Sequence, residues 1–167
     1  MNPTERILEF VSGIGLTVDE RSLPEVTFLP GLAIESGTLI VDRARLAYPG
    51  DVLHEAGHMA ITAPSQRHLL SDTLTAGPGE EMATIAWSWA AVVHLGIDPS
   101  VLFHAGGYQN GAENLLENFQ AGRFIGVPLL QWYGMTLERS HQADQPGYPR
   151  MISWLRTKEN PVMELTV

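Results

Sequence analysis

The stretch VLHEAGHMAI, residues 52–61, decides the fold expected of this chain. It holds two histidines four residues apart, His54 and His58, with Glu55 directly after the first. Side chains four residues apart lie on the same face of a helix, so both imidazoles can reach one ion. The apolar flanks predict that this helix is buried, and buried histidines without a partner are costly. A plainer alternative is a surface-facing cluster of hydrogen-bonded histidines.

The sequence around this stretch predicts a helix that follows a set of strands. The helix should begin near Pro49 and end before Pro64, because proline terminates regular helical structure. Ser36-Gly37 is typical of a two-residue hairpin turn. Three segments ahead of the helix are predicted as strands, namely residues 26–29, 32–35 and 38–42.

Helix signals dominate the rest of the chain. Asn2, Pro3 and Glu5 form a capping pattern that predicts a helix ending at Gly13. Further helices are predicted over residues 78–95, from Asp98-Pro99 toward 103, from an Asn110 cap with Glu113 through Phe119 to Gly122, and over 127–133 and 150–156. Strands first and helices later predict an α+β fold, a small antiparallel sheet followed by a mainly helical core. Residues 1–167 are expected to form a single domain.

Composition narrows the possible partners and compartments. Of 167 residues, 10 are basic, 19 are acidic and none is cysteine, giving a formal charge of −9. This balance argues against nucleic acid or an anionic membrane as a partner. The longest apolar run, residues 82–97, is shorter than the about 20 residues that a membrane span needs. The N-terminus does not resemble a secretory signal, so we expect a cytoplasmic protein.

The residue that would complete a metal site is constrained by what the sequence lacks. A third ligand of the cysteine type is excluded because the chain has no cysteine. A third histidine or aspartate six residues after His58 is excluded because Pro64 stands there. A glutamate on the next predicted helix remains, and Glu80 and Glu81 open that helix. Glu81 shares its helix face with Ile85, beside the apolar stripe, whereas Glu80 shares a more polar stripe, which favours Glu81.

These residues resemble the gluzincin branch of the zincin-like metallopeptidases, in a compact bacterial form. The resemblance covers about 28 residues, from the two histidines to the GEEMATIAW segment that begins at Gly79. It implies that His54, His58 and Glu81 bind Zn²⁺ and that Glu55 is the general base that activates water. It also implies a peptide or protein substrate, paired as an extended strand with the segment 38–42.

Sites of the gluzincin type usually add a tyrosine or histidine that stabilises the developing oxyanion. Tyr108 and His104 are the first candidates for that role, because they flank the flexible Gly106-Gly107 pair, and Tyr133 and His141 come next. The alternative for each is ordinary packing in a loop or in the core. A second hypothesis for the whole chain is a catalytically silent zincin-like module that binds metal and regulates or binds a partner, because few residues remain to form specificity pockets.

Overall fold

The computed structural model describes residues 1–24, 26–72, 76–139 and 144–159. The fold is α+β, as predicted, with a small sheet near the N-terminus and helices after it. The strands are β1 (Thr17–Glu20), β2 (Leu32–Glu35) and β3 (Thr38–Val41). The helices are α1 (Pro3–Gly13), α2 (Gly50–Ala60), α3 (Pro64–Arg67), α4 (Pro78–Leu95), α5 (Ala112–Gln120) and α6 (Val127–Trp132), with 3₁₀ segments at Pro99–Val101 and Tyr108–Asn110.

Local sequence signals set several of these boundaries. The Asn2 side chain accepts a hydrogen bond from the Glu5 backbone N–H at 2.9 Å, and the Glu5 carboxylate accepts one from the Asn2 N–H at 3.3 Å. This reciprocal pair is the predicted capping box, which satisfies two donors that a helix start leaves unpaired. Helix α4 begins at Pro78 and ends at Leu95, the bounds expected from the sequence.

The sheet differs from the expected antiparallel arrangement in one pair of strands. Strands β2 and β3 form the predicted antiparallel hairpin, whose turn residues Ser36 and Gly37 have φ values of +47° and +75°. Strand β1 lies on the other side of β3 and runs parallel to it. The sheet is therefore mixed, with β3 in the centre. Three residues of β1 are exposed, so the strand has no apolar alternation that would have predicted it.

The predicted strand at residues 26–29 is wrong. Its side chains do not pack against the sheet: Val26 is 89% exposed and Phe28 is 94% exposed. Leu29 makes one isolated bridge to Leu32, at the entry to β2. The apolar run has the composition of a strand, but it forms a loop between Pro24 and Pro30.

Two predictions in the second half of the chain also need correction. Residues 150–156 form no helix; this stretch instead crosses the end of α2, where the Arg156 N–H donates to the Ala60 carbonyl at 2.9 Å. Helix α5 begins after Gly111, and its first turn has no side-chain cap. Asn110 cannot cap it because the residue lies in a left-handed turn, with φ of +68°.

Helices α2 and α4 pack tightly at Gly57, in the middle of the histidine stretch. A Cβ atom at this position would lie 3.0 Å from Thr84 Cγ2 and 3.1 Å from Trp87 Cε3. Trp87 and Thr84 are themselves fully buried. Only glycine lets the two helix axes approach this closely without displacing a neighbour, and the approach brings the face of α4 that begins at Glu81 over the histidines of α2.

We expect Gly57→Val to destabilise the protein by about 1–3 kcal/mol, because added volume in a filled core forces side chains and backbone to shift. The measurement is the urea midpoint of unfolding. Gly13→Val is the control, since a Cβ at Gly13 would meet no atom within 4 Å. Equal midpoints for the two variants would contradict close packing of α2 on α4.

Within the described parts of the chain, no helix combines the length and apolarity required to cross a membrane.

Candidate metal centre

The two histidines of α2 point the same way. His54 and His58 lie one helical turn apart, and their Nε2 atoms are separated by 3.2 Å. Their rings meet edge to face, at an interplanar angle of 87°. Both side chains are largely buried, with 13% of His54 and 20% of His58 exposed. Two imidazole nitrogens therefore converge on one point at the surface of the helix.

Helix α4 brings a carboxylate to the same point. Glu81 Oε1 lies 2.9 Å from His54 Nε2, and Glu81 Oε2 lies 3.1 Å from His58 Nε2. Glu80 has a different environment: it is exposed, and its carboxylate accepts a hydrogen bond from the Gly77 N–H at 3.4 Å, at the start of its own helix. Of the two glutamates left open by the sequence, Glu81 is the one that contacts the histidines.

The donor atoms of His54, His58 and Glu81 lie close to the spacing of a tetrahedral zinc site. Zinc binds histidine nitrogen and carboxylate oxygen at about 2.0–2.2 Å, which places neighbouring ligands of a tetrahedron about 3.3 Å apart. The two Nε2 atoms are 3.2 Å apart, Glu81 Oε1 lies 2.9 Å from His54 Nε2, and Glu81 Oε2 lies 3.1 Å from His58 Nε2. A set of two histidines and one glutamate is a donor set used by zinc sites that keep a fourth position open. The residues fit the metal that the resemblance implies.

Contacts on the far side of each imidazole orient the rings. Thr84 Oγ1 lies 3.3 Å from His58 Nδ1, and the Tyr108 hydroxyl lies 3.5 Å from His54 Nδ1. In a metal-bound histidine, a partner at Nδ1 accepts a hydrogen bond from that nitrogen and leaves the Nε2 lone pair for the metal. Without metal, both Nε2 atoms lie at hydrogen-bond distance from the Glu81 carboxylate.

Electrostatics in the metal-free chain reflect the same contacts. Hydrogen bonds from His54 and His58 hold the pKa of Glu81 well below its usual value. For His58, burial lowers the pKa, but the hydrogen bond to Glu81 and the charges of nearby carboxylates outweigh it, so the net pKa is raised. Without metal the site therefore favours a Glu81 carboxylate facing a protonated His58, and a metal ion would displace that proton.

Glu55 lies beside the triad formed by His54, His58 and Glu81. One of its carboxylate oxygens and one ring nitrogen of each of His54 and His58 all lie within 4.8 Å of one another. Burial raises the pKa of Glu55, an effect that the two neighbouring imidazoles partly offset. A raised pKa moves a carboxylate toward the range in which it exchanges protons near neutral pH. Glu55 is thus near enough to act on a group bound at the triad without being its closest donor.

The four candidates for oxyanion stabilisation have different surroundings. Tyr108 lines the cavity next to the triad, and its hydroxyl contacts the Nδ1 side of His54. Tyr133 also lines the cavity, but the Arg156 guanidinium covers its ring at 3.9 Å. His104 is buried, and its Nε2 lies 2.7 Å from Asp51 Oδ1. His141 lies outside the described residues. Tyr108 is therefore the candidate that both lines the cavity and contacts a histidine of the site, but its hydroxyl lies at the Nδ1 side of His54, and its catalytic role stays a prediction.

A cavity of about 1050 Å³ opens next to the triad. Its floor includes His54, Glu55, His58 and Glu81, and its charged lining is mostly acidic, with Asp72 and Glu80 nearby. Much of the wall is apolar and comes from both sides of the site, with Leu29, Leu32, Ile34, Ile61, Leu70 and Ile85 among the lining residues.

The structure overturns the strand that was expected to pair with a substrate. Residues 38–41 form β3, which is bonded to a strand on each side and has no open edge. The edge strand near the cavity is β2, and its outer side already contacts the segment 70–72. The Ile34 N–H donates to Asp72 Oδ1 at 2.9 Å, and the Asp72 N–H donates to the Ile34 carbonyl at 3.1 Å.

Two residues at the site were missed in the sequence. Thr84 lies three residues after Glu81, and this spacing on a helix could have identified it as a neighbour of the same ligand. Asp51 lies three residues before His54, but an acid in the first turn of a helix is ordinary and gives no signal of a special role. Its partner His104 is 53 residues away in the chain, so their contact depends on the tertiary fold.

No protein-family model, curated protein or solved structure matches this chain.

Proposed function

We propose that this protein is a zinc-dependent hydrolase that cleaves peptide or amide bonds. The observation that carries the proposal is the cluster of His54, His58 and Glu81, whose Nε2 atoms and carboxylate oxygens meet at 2.9–3.2 Å, with Glu55 beside it. Two histidines and a carboxylate leave one tetrahedral position open, and an adjacent glutamate is the usual base in such a site.

The proposed roles divide between binding and proton transfer. His54, His58 and Glu81 would hold a zinc ion, which would supply Lewis acidity and lower the pKa of a water molecule. Glu55 accepts the proton of the attacking water and returns it to the leaving nitrogen, which balances the reaction without an external acid. Burial raises the pKa of Tyr108 well above its usual value, so its hydroxyl stays protonated and can donate a hydrogen bond.

The cavity supports a peptide as substrate. Its apolar wall offers contact area for side chains, and its acidic lining includes Asp72 and Glu80. A narrow pocket would limit the reaction to small amides, but about 1050 Å³ is large for a single small molecule. A short stretch of peptide on either side of the cleaved bond fits this volume.

A second candidate function has its own supporting observation. Because residues 70–72 contact the outer side of β2, an extended substrate cannot pair along Ile34 without displacing them. A zincin-like module that binds metal but does not cleave peptides is consistent with that obstruction. Such a module would keep the same zinc ligands, so an assay of peptide cleavage distinguishes it from a peptidase.

Protein purified from cells grown with sufficient zinc should contain close to one zinc per chain and should cleave members of a broad fluorogenic peptide library. Metal content is measured by mass spectrometry and cleavage by fluorescence. Zinc with no cleavage would support the silent module, whereas protein isolated without metal would contradict both functions. A chelator-treated sample, reloaded with zinc, is the control for contaminating proteases.

A further inference from the structure

We propose that Asp51 and His104 are positioning residues for the metal centre, because their buried pair holds the turn that presents Tyr108 to the zinc ligand His54. The proposal rests on the proposed zinc site and adds two residues, Asp51 and His104, that touch no metal. It follows from three contacts and one backbone turn that connect the first turn of α2 to the segment 104–110.

The first contact joins two buried polar side chains. His104 Nε2 lies 2.7 Å from Asp51 Oδ1, with 10% and 8% of the respective side chains exposed. Asp51 occupies the first turn of α2, one turn before His54. Removing one partner of such a pair leaves the other buried and unsatisfied, which is why these contacts fix local structure strongly. The pair therefore ties the 104–110 segment to the helix that carries both histidine ligands.

The second contact encloses the His104 ring. Tyr48 stacks on it, with the ring centroids 3.7 Å apart and the planes within 7° of parallel. The chain after His104 passes close by, since a Cβ on Gly107 would lie 3.1 Å from His104 Cε1. A Cβ on Gly106 would lie 2.7 Å from the Tyr48 hydroxyl. The two glycines let the backbone close around the stacked rings, so the position of His104 sets the path of the segment.

The segment then forms a turn with an unusual backbone conformation. Tyr108, Gln109 and Asn110 have φ values of +58°, +52° and +68°, so three successive non-glycine residues adopt the left-handed conformation. L-residues avoid this region, and it persists where surrounding structure holds it. His104 lies four residues before Tyr108, so its contact with Asp51 anchors the chain close to the turn. Strained backbone of this kind is concentrated at functional sites.

The third contact connects the turn to His54, a proposed metal ligand. The Tyr108 hydroxyl lies 3.5 Å from His54 Nδ1, and the rings meet edge to face at 86°. Outer partners of a metal-bound histidine fix its rotation and its tautomer, and their loss typically weakens metal binding about 10–100-fold. A shift of the turn would remove this partner, so Asp51 and His104 act on the zinc site through Tyr108.

One feature of His104 makes a discriminating variant possible. Its Nδ1 is buried and has no hydrogen-bond partner among the described residues, so the ring uses only Nε2 to hold Asp51. A glutamine amide can place a donor near the Nε2 position, whereas alanine cannot. His104→Gln should therefore keep most of the function that His104→Ala loses.

The test measures zinc affinity by competition with a chromophoric chelator, together with the visible spectrum of the cobalt-substituted protein. His104→Ala should weaken zinc binding about 10–100-fold and change the cobalt spectrum, and His104→Gln should restore most of both. His94→Ala is the matched control, because His94 is an exposed histidine on α4 that packs on Phe10 and Trp154. It should keep wild-type affinity and spectrum.

A double-mutant cycle tests the route through Tyr108. Tyr108→Phe should weaken zinc binding as His104→Ala does, and the double variant should be no weaker than either single variant. Losses that multiply, or a His104→Ala protein with unchanged affinity and spectrum, would overturn the positioning role while leaving the zinc site intact. If His104→Ala does not fold, Asp51→Ala, which also removes the contact, takes its place with the same expectations. Wild-type protein that binds no zinc would overturn the proposed function itself.

Discussion

Glu55→Gln should abolish peptide hydrolysis while the protein still binds one zinc. Glutamine has nearly the same shape but cannot accept the proton that Glu55 takes from water, and loss of a general base typically costs about 10²–10⁴-fold in rate. Zinc should remain because His54, His58 and Glu81 form the closest set of donors. The measurements are kcat on a cleaved library peptide and metal content per chain.

Glu113→Gln is the matched control for this change. Glu113 is an exposed glutamate in the first turn of α5, so its neutralisation removes the same charge away from the cavity. This variant should keep wild-type kcat and zinc. If Glu55→Gln stayed active, another group would have to move the proton. If it lost its zinc as well, Glu55 would be a ligand, and the base would have to be sought elsewhere in the cavity.

The parts of the fold that the sequence predicts are those decided by neighbours in the chain. The Asn2–Glu5 capping box, the bounds of α4 and the Ser36-Gly37 turn depend on interactions across two to four residues, and all three are confirmed. The spacing of His54 and His58 is equally local, because an α-helix fixes which residues share a face. The sequence alone also excludes a cysteine ligand, because the chain has none, and a third ligand at position 64, because Pro64 stands there.

The parts that could not be predicted depend on contacts between distant residues. Strand β1 is mostly exposed and pairs in parallel with β3, about twenty residues later, so neither periodicity nor a turn signals it. The loop at residues 26–29 has the composition of a strand but no partner. The left-handed turn at Tyr108 has no glycine or proline within it, and surrounding side chains impose its conformation. Asp51 acquires its role only when His104 packs against it.

Glu81→Gln should remove most of the stability that zinc gives the protein, whereas Glu80→Gln should not. A ligand present at 1,000 times its Kd stabilises the folded state by about 4 kcal/mol. For a chain of this size that corresponds to a rise in Tm of about 8–16 °C. Among the described residues, Glu81 supplies the carboxylate that contacts both Nε2 atoms, while the Glu80 carboxylate accepts a hydrogen bond at the start of its own helix. The measurement is Tm with zinc and with chelator.

The pH dependence of the same melts separates zinc binding from the direct contact between Glu81 and the histidines. In chelated protein, the lowered pKa of Glu81 contributes stability that is present above its unfolded pKa of about 4.3 and is lost as pH falls through the folded pKa. The raised pKa of His58 contributes stability that is present below about pH 6.5 and is lost as pH rises through the folded pKa.

The direct contact therefore stabilises the chelated protein most between about pH 4.3 and 6.5. Zinc needs deprotonated imidazoles, so the zinc-dependent rise in Tm should instead grow as pH increases above that range. Glu81→Gln should lose both effects, and Glu80→Gln should keep both. A zinc-dependent rise that is equally large at pH 5 and pH 8, or that survives Glu81→Gln, would place the bound metal somewhere other than the triad of His54, His58 and Glu81.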